Sequence, residues 1–257
     1  MCSLLLAPSF GRVVCTAETT SGTCVATTFS QRIAARKPIS PDLASVTAWL
    51  TGLSCIAVLL SIALSQILLG AALAGLLLSR RKLDFPARWL LPLLAFAGWT
   101  LLSLAFSSEP ASGLPQIRKF FVFFLLALVI NAFQNHRQLW LTVQGVLSGG
   151  VVAALYGLGQ FTQDYLALRR QGMEFYENYV VHQITGFMGH WMTYGGQLML
   201  VFFLLLAIRL FAAETLSRAG RWLCWLSMFL VCLALLGAFT RGIWLGTLAA
   251  VAYLIAR

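Results

Sequence analysis

From Leu43 onward the chain alternates long apolar runs with short polar or basic breaks. One helix needs about 20 apolar residues to cross the hydrocarbon core of a bilayer. The run from Leu43 to Ser79 is too long for one crossing and just long enough for two short ones. Apolar stretches at 89–107, 119–133, 139–161, 187–210, 222–239 and 242–256 predict six more. The pattern therefore predicts an all-α fold, a polytopic transmembrane helical bundle of about 8 spans.

Between the runs, residues 1–42 are rich in Ser, Thr, Ala and Pro without helical periodicity and read as a disordered tail. No removed leader is read in this tail, so the first span serves as its own signal. The stretch 43–161 supplies the first five spans, 162–186 a polar loop with an amphipathic segment, and 187–257 three further spans.

Composition agrees with a lipid-solvated chain: 60% hydrophobic, 10% charged, mean hydropathy +0.84. The net charge of +10 would hint at nucleic acid in a soluble domain. Here the bases cluster at the ends of apolar runs, as membrane topology requires, and no nucleic-acid partner is expected. With two spans in 43–79, thirteen of the 18 Lys and Arg fall on one face, read as cytoplasmic together with the amino terminus. The loops at 108–118 and 162–186 and the break at Thr240-Arg241-Gly242 then face outward. Trp49, Trp89, Trp140, Trp191 and Trp222 stand at span ends, where aromatic belts form. The six cysteines show neither metal spacing nor a disulfide framework. The eight Asp and Glu all fall outside the expected spans, which counts against ion-coupled transport.

Three places could carry chemistry. Arg241 is the only formal charge between Arg221 and Arg257. An arginine in hydrocarbon costs at least about 3 kcal/mol, so a helix junction at the membrane face is its expected position. A guanidinium there can grip phosphate oxygens bidentately, Thr240 can add a hydroxyl, and the amides opening the next helix can add a positive dipole end. In the outer loop, Arg169 and Arg170 beside Leu166, Leu168, Met173 and Phe175 form a surface-lying segment. These arginines either touch lipid phosphates or reach an anionic lipid-linked substrate. His182 and Gln183 follow. The segment Gly186 to Gly196 holds four glycines, with His190 and Tyr194 expected on one helix face at i, i+4 spacing and both candidates for substrate contact.

These residues resemble the O-antigen ligase and polymerase superfamily of bacterial envelope glycosyltransferases. Ser61 to Gly70 is similar to the family's short first hairpin, Gly186 to Tyr194 to the opening of its core domain, and Phe239 to Gly246 to its arginine-bearing Thr/Ser-Arg-Gly stretch. The resemblance covers residues 44–257 and makes 187–257 the start of a ligase core domain, with 162–186 periplasmic. It implies a multi-pass protein of the bacterial inner membrane that needs neither metal nor other cofactor. Its partners would be an undecaprenyl diphosphate-linked glycan donor, a glycan or lipid A core acceptor, and membrane lipids. Arg241 would be the catalytic residue, stabilising the departing diphosphate. Arg169, Arg170, His182, Gln183, His190, Tyr194 and Thr240 would bind substrate.

Two departures qualify this resemblance. Gln183 stands where family members often carry an arginine, so Arg169, Arg170 or His182 would have to substitute. The family's large periplasmic loop with its histidine normally follows the Thr-Arg-Gly stretch, which implies a carboxy-terminally truncated member. The alternative from another class is a noncatalytic membrane transporter or scaffold that binds anionic lipid through the same arginines.

Overall fold

The computed structural model describes residues 41–79, 87–107, 119–179 and 183–256. The tail up to residue 40, the basic cluster Arg80-Arg81-Lys82, the loop 108–118 and His182 lie outside the described residues. The described part is all-α. In chain order the helices are α1 Pro41–Ala57, α2 Ile62–Leu78, α3 Ala87–Ala105, α4 Phe124–Ala132, α5 His136–Arg170, α6 Phe175–Tyr179, α7 Trp191–Phe211, α8 Arg218–Gly237 and α9 Arg241–Ile255. Short 3-10 turns, Lys119–Phe123 and Ala213–Thr215, precede α4 and α8.

Three of these helices, α5, α7 and α8, are long and apolar enough to cross a membrane. Five shorter apolar helices accompany them among the described residues. The surface agrees with a lipid environment. Leu200, Trp222, Leu245 and Ile255 are each about two-thirds exposed or more, at 65%, 71%, 69% and 69%, and α9 buries no residue. Helices suit such surroundings because each backbone donor and acceptor is satisfied within its own segment.

The chain divides into two compact units. One holds α1 to α4 with the first turns of α5, and the other holds the rest of α5 with α6 to α9.

In the first unit, α1 and α2 are fastened by a reciprocal serine pair. Ser54 Oγ donates to the Ser65 carbonyl and Ser65 Oγ to the Ser54 carbonyl, both at 2.9 Å. Ser65, a polar residue in mid-run, is thus satisfied by the helix before it. Leu69, Ala72 and Leu76 of α2 meet Leu128 of α4 in a small buried core. Close approach depends on small side chains here: a Cβ at Gly75 would lie 2.6 Å from Thr47 Oγ1, and one at Gly52 2.6 Å from Thr142 Oγ1.

In the second unit, α5 corrects the expected boundary between span and loop at residue 161. It runs 35 residues, about 52 Å. It ends where Gly172 takes a positive φ of 69°. The Met173 N–H then reaches the Leu168 carbonyl and the Gly172 N–H the Arg169 carbonyl, both at 3.2 Å, a Schellman closure. Asp164 consequently lies on a long helix that also carries apolar residues, and not in a loop. The remaining polar stretch is short, with Phe175 of α6 set edge-on to Phe161 and Tyr165 of α5.

Tyr194 of α7 is the tightest fit in this unit. It is 1% exposed, and its hydroxyl donates to the Ala153 carbonyl of α5 at 3.1 Å. Gly157 of α5 faces its hydroxyl end, and Gly186 faces its ring so closely that neither position has room for a Cβ. Gly157→Ala should therefore lower the stability of the detergent-purified protein by about 1–3 kcal/mol. Gly159→Ala, whose Cβ meets nothing within 4 Å, should be neutral or slightly stabilising. Equal unfolding midpoints for the two variants would remove Tyr194 from its anchoring role.

Candidate functional site

The candidate site is built on three pieces of the second unit: α5 around Gly157 to Phe161, the glycine-rich segment 184–196, and the junction between α8 and α9. Gln160 joins the first two. Its Oε1 accepts from the Gly186 N–H at 2.9 Å and its Nε2 donates to the Gly186 carbonyl at 3.2 Å. Gly186 has φ 57°, a left-handed conformation that glycine adopts without steric cost. Tyr156 stacks on Phe187 with centroids 4.3 Å apart and an 8° interplanar angle, fixing the next residue as well.

The junction packs against the same segment. A Cβ at Gly195 would lie 2.7 Å from Ile243 Cδ1 and 3.6 Å from Ala238 Cβ. One at Gly237 would lie 3.1 Å from Ile184 Cδ1 and 3.9 Å from Phe161. The start of α7, the end of α8 and the start of α9 thus share one end of the unit, beside residues 157–161 of α5.

At the junction α8 stops at Gly237, and Phe239 takes φ 47°. That is unusual for a bulky side chain and marks a turn held by its surroundings. Trp244 of α9 supplies part of that hold, donating its Nε1–H to the Leu235 carbonyl at 3.0 Å, with its ring 5.9 Å from that of Phe239. Thr240 takes the N-cap position but does not cap with its side chain. Its hydroxyl instead donates to the Ala238 carbonyl at 3.0 Å. In this arrangement the proton expected to serve an anion is engaged within the turn.

Arg241 is the first residue of α9 and is exposed, without an ion-pair or hydrogen-bond partner among the described residues. The Ile243 and Trp244 N–H groups turn back to the Thr240 carbonyl at 3.0 and 3.1 Å. The Arg241 and Gly242 amides, by contrast, have no acceptor among the described residues, and the space beside Gly242 is open. The junction therefore presents a guanidinium, two amides without an acceptor and the positive end of a helix dipole, groups suited to an anion.

The other sequence-derived candidates divide. His190 does not share a helix face with Tyr194, since it stands outside α7 as its N-cap, with Nδ1 accepting from the Met192 N–H at 3.2 Å. Its exposed ring stacks on Trp191 at 4.2 Å. Tyr194 points into the α5 contact, so the expectation that it binds substrate gives way to a packing role. Gln183 has a buried Oε1 without a partner among the described residues, an acceptor available to a hydroxyl. Arg169 and Arg170 are exposed in the last turn of α5, roughly 14–15 Å beyond Gln160 along the helix axis. Gln160, Phe239 and Trp244 were not foreseen as contributors. For Gln160 a signal existed, a lone amide in the apolar run Val151 to Phe161.

No protein-family model, curated protein or solved structure matches the chain. Among the described residues no group of three or more His, Cys, Asp or Glu gathers to hold a metal ion.

Gln160→Leu removes both hydrogen bonds to Gly186 and leaves a half-buried amide unpaired, at a cost of about 1–3 kcal/mol. Hydrogen–deuterium exchange should accelerate across residues 184–190 while the helical part of α8 stays protected. Unchanged exchange there would show that Gln160 does not hold the segment.

Proposed function

We propose that the chain is an O-antigen ligase-like bacterial inner-membrane glycosyltransferase, with α1, α2, α3, the turn and helix from Lys119 to Ala132, α5 and α7 to α9 as eight spans. The amino terminus is cytoplasmic, and the α8–α9 junction faces the periplasm. The donor is a glycan on undecaprenyl diphosphate, and the acceptor is lipid A core or a growing polysaccharide. The observation that carries the reading is the exposed, unpaired Arg241 with the free amides of Arg241 and Gly242. Its support is the packing of Gly195 against Ile243 and Ala238, which sets the glycine-rich segment beside that junction.

In the proposed reaction an acceptor hydroxyl oxygen bonds to the anomeric carbon of the donor sugar. The bond from that carbon to the diphosphate oxygen breaks, and the hydroxyl proton is released. Negative charge grows on the departing diphosphate, and Arg241 is the group positioned to offset it. Donors aimed at charge that develops in the transition state accelerate a step more than donors that bind the ground state equally well. Exposed His190 and the Gln183 amide oxygen are the groups for the sugar hydroxyls, and Arg169 and Arg170 for phosphate further out.

Arg241→Ala in the full protein, expressed in a ligase-deficient strain, should reduce surface glycan attachment by about 100-fold or more. Membrane abundance should stay unchanged, because the side chain supports no packing. Full glycan attachment by that variant would sink the assignment and favour the noncatalytic, lipid-binding reading. Arg241→Lys should also lose most activity, since an ammonium cannot reproduce the planar fork. A lysine variant with wild-type transfer would show that charge alone suffices.

A further inference from the structure

The second unit carries another concentration of positive charge, where α7 hands over to α8. Arg209 in the last turn of α7 and Arg218, Arg221, Trp222, Trp225, Leu226 and Phe229 of α8 line an open groove of about 680 Å³. Spacing along α8 explains the groove. Arg218, Trp222, Trp225 and Phe229 follow one another at intervals of four, three and four residues and share a helix face. Charge therefore occupies the first turn, and aromatic surface continues for about 10 Å below it.

Two of the arginines are held in place, and Arg218 is exposed in the first turn of α8. Arg209 lies over the Trp225 ring, its guanidinium carbon 5.3 Å from the centroid. Arg221 donates to the Leu216 carbonyl at 3.3 Å. Ser217 Oγ caps α8 by accepting the Gly220 N–H at 3.1 Å. None of the three arginines meets a carboxylate among the described residues, and Glu214 in the intervening turn is exposed and does not line the groove. The Nε–H of Arg209 is buried without a partner among the described residues, a donor that a phosphate oxygen would satisfy. Below the charges, Trp222, Trp225, Leu226 and Phe229 are 71%, 50%, 53% and 59% exposed, an apolar wall on which Arg209 covers part of the Trp225 ring.

We infer that this groove binds one anionic glycerophospholipid, its phosphate among Arg209, Arg218 and Arg221 and an acyl chain along Trp222, Trp225 and Phe229. Charge complementarity selects an anionic headgroup, and the aromatic wall selects a lipid over free phosphate. The groove opens α8 whereas Arg241 follows its far end, about 30 Å away along the 20-residue helix. The inference is therefore independent of the glycan-transfer reading.

The test is native mass spectrometry of the full chain, released from vesicles of equal phosphatidylglycerol and phosphatidylethanolamine. One phosphatidylglycerol should be retained in preference to phosphatidylethanolamine. Retention should fall about fivefold for each arginine changed in Arg209→Gln, Arg218→Gln and Arg221→Gln. Arg218→Gln, at an exposed first-turn position, keeps the test valid if Arg209→Gln disturbs the α7–α8 packing. Equal retention of both lipids, or undiminished phosphatidylglycerol binding by Arg218→Gln and Arg221→Gln, would reduce the groove to ordinary lipid-facing surface. Displacement of phosphatidylglycerol by inorganic phosphate alone would instead make it a soluble-anion site and overturn the lipid assignment.

Discussion

The second unit depends on one ring in one slot. Tyr194 fits between Gly157 and Gly186 because neither has a side chain, and its hydroxyl finds the Ala153 carbonyl. Apolar surroundings provide little hydrophobic drive for one helix to meet another, so contact has to come from shape and hydrogen bonds. With the ring seated, the start of α7 is fixed against α5, and Gln160 secures the turn that precedes it. One helical position later, Gly195 receives Ile243 and Ala238. The junction bearing Arg241 is thus positioned by a chain of close contacts that begins at a buried phenol.

That junction concentrates unfavourable features that its neighbours offset. Phe239 is held in a left-handed conformation at a cost of roughly 1–2 kcal/mol. Trp244 reaches back across the turn to the Leu235 carbonyl, and Thr240 closes on Ala238. Local polar groups are consumed in holding the turn, while the Arg241 side chain and the amides behind it are left outside. This division separates residues that shape the corner from the one that presents charge.

The chain's apolar runs made most of the architecture legible. The split of 43–79 into two helices, the break at 240 and the helices around 89–107 and 222–239 follow from length and charge placement alone. The end of α5 did not, since Gln163, Asp164, Arg169 and Arg170 read as loop residues by polarity, although a helix leaving an apolar environment can carry them in water. Gly172 was the available stop signal, and polarity masked it. At the site, the exposure of Arg241 was legible because a lone charge in an apolar run has few places to go. The i, i+4 pairing of His190 with Tyr194 does not hold because spacing describes a helix face only inside a helix, and His190 sits one residue before α7 begins; the burial of Tyr194 is a tertiary property that spacing does not report. Gln160 engages Gly186 across 26 residues of sequence, a pairing that no local pattern reveals.

The length of α5 has a mechanical meaning. At about 52 Å it exceeds the hydrocarbon core by roughly 20 Å, and membrane helices tilt by up to about 40° from the bilayer normal. Over that range the helix changes its vertical extent by about 12 Å. Where α5 crosses a bilayer, its tilt sets how far Arg169 and Arg170, in the last turn, stand from the membrane surface.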